Sequence, residues 1–331
     1  MSNDAKTMTI WQRGLRSDLI ACLLIGLIAV ICFYAMPSGL SLLTRIIAIM
    51  LLVLSIDLVT GYGGVATLGH AALFGAGAYA AGIAAAKFGI TDPLLMLLIG
   101  TIAGAIAGFL SSLVILRGHG LSQLVLSIAV IMLAREAANK FSTWTGGSDG
   151  LSGIAPSPLL GMWRFDLWGK TSYWLAVILL LVVFLILRQI VRSPFGMLVK
   201  AIRQDPIRVS AMGAPVYWTL VKMYVISGAV AGLGGALSAV ATKVVGLDAL
   251  SFELSAEAVV MLVLGGTANL FGAMIGTTVF IWFEHLVSSV NPFHWLTIVG
   301  VLLVTVVLFA PRGLTGIADQ LRDKFGKGGA K

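Results

Sequence analysis

What most constrains this chain is a succession of apolar runs, several reaching the roughly 20 residues that an α-helix needs to cross a hydrocarbon core about 30 Å thick. Candidate spans fall at Leu19–Met36, Leu40–Thr60, Val65–Ala86, Leu94–Leu116, Leu121–Ala138 and Tyr173–Val191 in the first part of the chain. The second part offers Lys222–Val245, Ala258–Leu264, Ala268–Val287 and Trp295–Ala310. Hydrophobic residues make up 59% of the chain and charged ones only 11%, against roughly 25% charged in a soluble domain. Such a chain cannot cover itself with polar surface in water. The expected fold is an all-α, polytopic transmembrane bundle with broken or re-entrant helices and about eight to ten membrane segments.

Lys and Arg set the orientation, because short cytoplasmic loops collect them. The N-terminal tail (residues 1–18), the turn at Arg117, the loop 192–215 with Arg192, Lys200, Arg203 and Arg208, and the tail 311–331 all become cytoplasmic. The opposite side receives Lys87–Pro93, the loop 139–172 and the acidic turn Asp248–Glu257. Residues 19–310 thus form the membrane domain, with both termini inside. A net charge of +8 does not read as nucleic-acid binding, since the cations are dispersed over short loops without an aromatic-interleaved face. Cys22 and Cys32 both lie in the first apolar run and read as small hydrophobes. That run follows Lys6, Arg13 and Arg16 without a small-residue cleavage site, so it is expected to be retained as a span.

Parity predicts a break. With Asp248–Glu257 outside and the C-terminal tail inside, an odd number of crossings must follow, yet only Ala268–Val287 and Trp295–Ala310 are long enough. The short apolar piece before Gly265 must therefore be a half-helix or a tilted crossing, and irregular backbone at that depth must be buried in protein or line a cavity. The segment Gly63-Gly64-Val65-Ala66-Thr67-Leu68 is echoed by Gly265-Gly266-Thr267-Ala268-Asn269-Leu270. Gly-interrupted segments in corresponding places point to a transport path.

Candidate pathway residues are therefore Gly63, Gly64, Gly69, His70, Gly75, Gly265 and Gly266. The small residues from Gly61 to Tyr79 also suit close helix packing, and His70 suits a hydrogen-bonded packing role. Arg45, Asp57, Arg135, Glu136 and Glu284 lie in or near spans, where charge is costly and needs a protein partner or the interface. Arg45 and Asp57 stand twelve residues apart, about 18 Å of helix rise, too far to pair with each other. From Ser193 to Gly213 the loop reads as a short amphipathic helix ending near Pro206, with Met197, Leu198, Ala201 and Ile202 at helical spacing and Lys200, Arg203 and Asp205 on a polar face. It suits either a helix lying on the headgroups or a docking helix. The outer run Gly146-Gly147-Ser148-Asp149 has turn chemistry and is flanked by tryptophans of an interface belt. No zinc-ligand spacing, nucleophile elbow or nucleotide fingerprint points to an enzyme or a bound cofactor, and Gly169-Lys170-Thr171 lacks the earlier glycine of a phosphate loop.

In order along the chain, Gly61-Tyr62-Gly63-Gly64 with Leu68-Gly69-His70-Ala71-Ala72, Thr145 to Gly150, Ser193-Pro194-Phe195-Gly196 with Ala201 to Asp205, Leu264-Gly265-Gly266, and Pro311-Arg312-Gly313-Leu314 resemble one family. It is that of the membrane permease subunits of branched-chain amino-acid ABC transporters, of the LivM type, and the likeness covers nearly the whole chain. The resemblance implies a bacterial inner-membrane importer made of this chain, a second related permease, two cytoplasmic ATPase subunits and a periplasmic binding protein. It makes Ser193, Phe195, Gly196, Lys200, Ala201, Arg203, Gln204, Asp205 and Gly213 the ATPase-coupling residues and turns the Gly146–Asp149 loop toward the binding protein. It carries no role to Asp57, where members are expected to hold a neutral amide. Cargo stays open between branched-chain or related amino acids, urea and short amides. The alternative from another class is a proton-coupled secondary transporter using Asp57, Glu136 or His70.

Overall fold

The computed structural model describes residues 22–37, 39–159, 163, 169–290, 297 and 300. They are predominantly helical, and among the described residues there is no strand, only isolated bridges such as Leu151 with Val245. Helix α1 is Cys22–Ala35, and α2 runs from Leu40 to Tyr62, its last turn (Asp57–Tyr62) wound as a π-helix. Then come α3 (His70–Phe88), α4 (Pro93–Ile115), α5 (Leu121–Lys140), the single turn α6 (Ser142–Thr145) and α7 (Lys170–Arg192). Two short helices, α8 (Pro194–Gln204) and α9 (Pro206–Ala211), precede α10 (Val216–Thr242), α11 (Phe252–Gly265) and α12 (Leu270–Val290). Among the described residues seven helices are long and apolar enough to cross a membrane.

The expected bundle is present, with its boundaries redrawn. The span placed at Val65 begins at His70, because residues 63–69 are not helical; the one placed at Lys222 begins at Val216. The short piece before Gly265 is the 14-residue α11, about 21 Å long, and helical structure is interrupted there as parity requires. The candidate span Trp295–Ala310 and both tails lie outside the described residues.

Helix α2 is the axis of the bundle. Its apolar stretch is 89% buried, while that of α5 is 17% buried. Around it α3, α4 and α10 make the tightest contacts, because glycines let their backbones touch. Gly100, Gly104 and Gly108 of α4 face Gly228 and Gly232 of α10, each series at four-residue spacing and so on one helix face. A Cβ on Gly232 would lie 2.7 Å from the Gly104 Cα, and one on Gly108 would lie 2.7 Å from the Tyr224 carbonyl oxygen. Gly77 of α3 abuts the Gly232 carbonyl and Gly235 of α10 abuts the Phe74 carbonyl, which adds α3 to the same seam. In lipid no hydrophobic force presses helices together, so dispersion across such close approaches supplies the association.

Most polar groups inside the bundle are satisfied locally or across helices, the buried exceptions among the described residues being Asp57 Oδ2, His70 Nδ1 and the Tyr79 hydroxyl. Thr44, Ser55, Thr101, Ser112, Thr277 and Thr278 donate to carbonyls three or four residues earlier. Arg45, for which the sequence names no partner, pairs with Glu284 of α12 at 3.6 Å. Since Arg45 lies near the start of α2 and Glu284 near the end of α12, these helices run antiparallel.

Gly232→Val should disrupt the α4–α10 seam. We expect it to cost about 1–3 kcal/mol or more from overpacking, read as a lower thermal midpoint in detergent. Gly26→Ala, where an added Cβ meets no atom within 4 Å, should leave the midpoint unchanged.

Candidate functional site

The loop after α7 folds as two capped helices. Ser193 accepts from the Gly196 amide at 3.3 Å with Pro194 in the first helical position, which starts α8. Asp205 ends α8 and caps α9, accepting from the Ile207 and Arg208 amides at 3.1 and 3.0 Å, again followed by a proline; its carboxylate also pairs with Arg208 at 3.0 Å. The faces differ from the expected ones. Gly196, Val199 and Ile202 are buried against the bundle, whereas Met197 is 59%, Ile207 81% and Met212 85% exposed. Two of the cations expected on a solvated face bond back to the bundle instead, Lys200 half-buried and Arg203 still exposed. Lys200 donates to the Val191 carbonyl at 3.0 Å with its ammonium over the Tyr62 ring, and Arg203 donates through Nη1 to the Gly61 carbonyl. Carbonyls freed at irregular helix ends attract these donors, a signal that hydrophobic periodicity does not carry. Phe195 and Ala201 are half-buried, Gln204 is exposed, and Gly213 takes a positive φ of 85° as the chain turns toward α10.

The two Gly-Gly segments meet at this end of the molecule. In the π-helical turn of α2, Gly63 N–H bonds to the Leu58 carbonyl and Val65 N–H to that of Val59, at 3.0 and 3.1 Å. Single π turns in α-helices are rare and concentrate at functional sites. Gly64, at φ 71°, lies against Arg203; an added Cβ would sit 2.7 Å from the arginine Cγ. On the other side stands the turn from Gly266 to Asn269, whose Ala268 N–H donates to Asp57 Oδ1 at 2.7 Å. Gly61 must be glycine for this contact, since a Cβ there would overlap Asp57 Oδ1 and lie 2.7 Å from the Ala268 nitrogen. Ala268 itself has φ 61°, a left-handed conformation that costs a residue bearing a Cβ about 1–2 kcal/mol. The Asn269 side chain caps α12 by accepting from Phe271 N at 3.1 Å. A cleft of about 1250 Å³ opens beside this junction, lined by Gly63, Gly64, Arg203, Ile207, Arg117 and Trp218 among others.

Deeper in, the start of α3 sits in a ring of four buried serines, one each from α2, α5, α10 and α11. Ser127 of α5 accepts from Leu68 N at 3.0 Å and Ser255 of α11 from Ala71 N at 2.9 Å, satisfying donors that a helix start leaves open. Ser227 of α10 donates to the Ser55 carbonyl at 2.8 Å, so its oxygen is free to accept from His70 Nε2–H, also at 2.8 Å. That assigns His70 its tautomer and leaves Nδ1 buried without a hydrogen-bond partner. Tyr224 donates to Thr67 Oγ1 at 3.0 Å and packs on the His70 ring. Gly69 abuts Ser127 and Gly75 abuts Leu250, both buried, as are Gly265 and Gly266. Of the candidate pathway residues, therefore, Gly63 and Gly64 border an open cleft and the other five are packed inside. The serine ring escaped sequence reasoning because single serines in apolar helices have no distinguishing spacing.

At the far end of α5, Thr145 bonds back to the Ala138 and Phe141 carbonyls, and Gly146, Gly147 and Gly150 all take positive φ. The bridge from Leu151 to Val245 ties this turn to the end of α10. Ser148 and Asp149 remain exposed.

Residues 38–310 match the family described as the permease component of branched-chain amino acid transport systems. The chain is 25% identical over 317 residues to the LivM permease protein of the high-affinity branched-chain amino acid transport system of Salmonella typhimurium, covering 89% of this chain and 74% of that one. Its Escherichia coli counterpart is 25% identical over 84% of this chain and 70% of that one. A Methanocaldococcus jannaschii protein titled as a probable LivM permease is 22% identical over 59% of each. No solved structure matches the chain.

Removing the Ser227 hydroxyl leaves the buried His70 Nε2–H without an acceptor. Ser227→Ala is expected to cost about 1–3 kcal/mol in unfolding measured in detergent, with His70→Phe restoring part of it in the double variant.

Proposed function

The chain belongs to the permease-component family of branched-chain amino acid transport systems, and from that membership we propose that it forms half of the translocation path of an ATP-driven importer. Its partners are a second related permease, two cytoplasmic ATPase subunits and a periplasmic binding protein that selects the cargo. The names of its relatives favour branched-chain or related amino acids over urea or short amides. In this reading the basic end bearing α8 and α9 faces the cytoplasm of a bacterial cell, with both chain termini on that side, and the Gly146–Asp149 turn faces the binding protein. The path runs by Gly63, Gly64, Gly69, His70, Gly75, Gly265 and Gly266, and the interior packing of the last five corresponds to a closed state. Catalysis is left to the ATPases.

The observation that carries the reading is the α8–α9 pair. A surface helix lying on headgroups would bury its apolar side chains toward the bundle or lipid and send its cations to solvent. Here Lys200 and Arg203 are tied to the bundle while Met197, Ile207 and Met212 stand exposed at the basic end. Two rigid caps and an apolar outer face suit docking onto another protein, and the carbonyl-bound cations suit the transfer of its movement inward. Alternating access follows when closure of the ATPase pair displaces these helices in the two permeases together.

In proteoliposomes holding the complete transporter, uptake should require ATP inside the lumen facing the ATPases and should survive an uncoupler. Uptake that ignores ATP and collapses with the uncoupler would instead support proton coupling. Ile207→Asp with Met212→Asp should weaken ATPase association about ten- to a hundredfold, measured by co-purification and titration, while the permease itself stays folded.

A further inference from the structure

Asp57 is fully buried in α2, the most enclosed of the described membrane-length helices, and only one of its two carboxylate oxygens has a hydrogen-bond partner. Packing alone does not favour such a residue, because a buried charge with a bare oxygen is less stable there than an apolar side chain of similar size. What Asp57 does supply is a contact across the chain. Its satisfied oxygen holds the amide of Ala268, whose left-handed backbone is one that an alanine leaves readily when released. Four residues further along the same π-helical turn, the Gly61 carbonyl takes the Arg203 guanidinium of α8. Gly61 has no side chain, and this lets the two contacts sit back to back.

We propose that Asp57 is a positioning residue of the transport cycle, a latch through which the π-helical turn joins Arg203 of the coupling helix to the strained Ala268 turn between α11 and α12. The proposal rests on the ATP-driven reading above. Helix α8 is capped at its start by Ser193, joined at its end to α9 through the Asp205 cap and buried along Gly196, Val199 and Ile202, so it moves as a unit. A displacement of α8 acts on the Gly61 carbonyl and shifts the π turn. Asp57 Oδ1 then withdraws from Ala268 N–H, and the left-handed turn relaxes. Because Gly265 packs against Gly272 and Gly276 packs against Met261, the α11–α12 hairpin takes up the change as one body. The partner-free Oδ2 leaves the carboxylate able to move without breaking a second bond.

The test uses the whole transporter in proteoliposomes, reading ATP hydrolysed per cargo molecule imported. Asp57→Ala should raise that ratio about tenfold with hydrolysis preserved, while Asp57→Asn, which keeps an acceptor oxygen, should stay near the wild-type ratio. Hydrogen exchange supplies the readout that a general packing defect would not give. In Asp57→Ala the amides of residues 265–270 should exchange at least about tenfold faster, with α4 and α10 unchanged. Should Asp57→Ala not assemble, Arg203→Met severs the other contact of the latch and should raise the ratio similarly. A wild-type ratio in Asp57→Ala, or in Arg203→Met where only that variant assembles, overturns the latch, and so does unchanged exchange at 265–270. If the wild type itself imports without ATP, the ATP-driven reading fails instead, and the latch is then decided by the exchange of residues 265–270 alone.

Discussion

The whole arrangement depends on backbone approaching backbone without intervening side chains. In lipid, two leucine-covered helices gain little by leaving the tails for each other, so a bundle needs surfaces that make more contact with protein than with lipid. The facing glycines of α4 and α10, with those of α3 set into the same seam, provide that surface. Helix α10 of this seam, with α7, α11 and α12, then encloses α2, and enclosure is what shields Asp57 and the π-helical turn from lipid. The irregular parts are tolerated because the regular parts are packed so closely.

The same logic explains why the polar interior is built from serine. A hydroxyl is small enough to fit between helices in close contact, and it both donates and accepts. Ser127 and Ser255 accept from amides where a helix begins at His70 in the middle of the bundle, and Ser227, held by the Ser55 carbonyl, accepts from the His70 ring, so these donors are satisfied by neighbours. A helix that starts inside the bundle has to be accommodated by every surrounding element. That is why α3 touches α2, α5, α10 and α11 at a single level.

Much of this was legible beforehand, for identifiable reasons. Spans of about 20 apolar residues are a long-range, redundant signal, and they located the described membrane helices with starts up to six residues away. Parity located the break at Gly265, since counting crossings needs only the signs of the loops. Less legible were features settled by contacts between distant segments. The identity of Glu284 as the partner of Arg45, the bonds of Lys200 and Arg203 back to the bundle, and the serine ring all depend on which helices become neighbours. One such feature did leave a trace: Gly100, Gly104 and Gly108, with Gly228 and Gly232, display the four-residue spacing of a close helix contact and could have paired α4 with α10. The glycines expected to line a path, by contrast, differ in the structure in a way that their common residue type conceals, with Gly63 and Gly64 at a cleft and Gly75 against Leu250.

The bond between Asp57 and Ala268 joins residues 211 positions apart in the chain. During synthesis the aspartate therefore enters the bilayer long before its partner has been made. A lone carboxylate costs about 2.5–3.5 kcal/mol at the centre of a span on translocon-insertion scales and less toward its end, where Asp57 lies, and the high mean hydropathy of the surrounding helix, 2.4, offsets that cost. Helix α2 must then wait, inserted but incompletely enclosed, until α10 and the α11–α12 hairpin emerge. The contact between the π-helical turn of α2 and the α11–α12 turn thus forms late in synthesis, and a nascent chain interrupted before residue 268 would hold an unanswered carboxylate within the membrane.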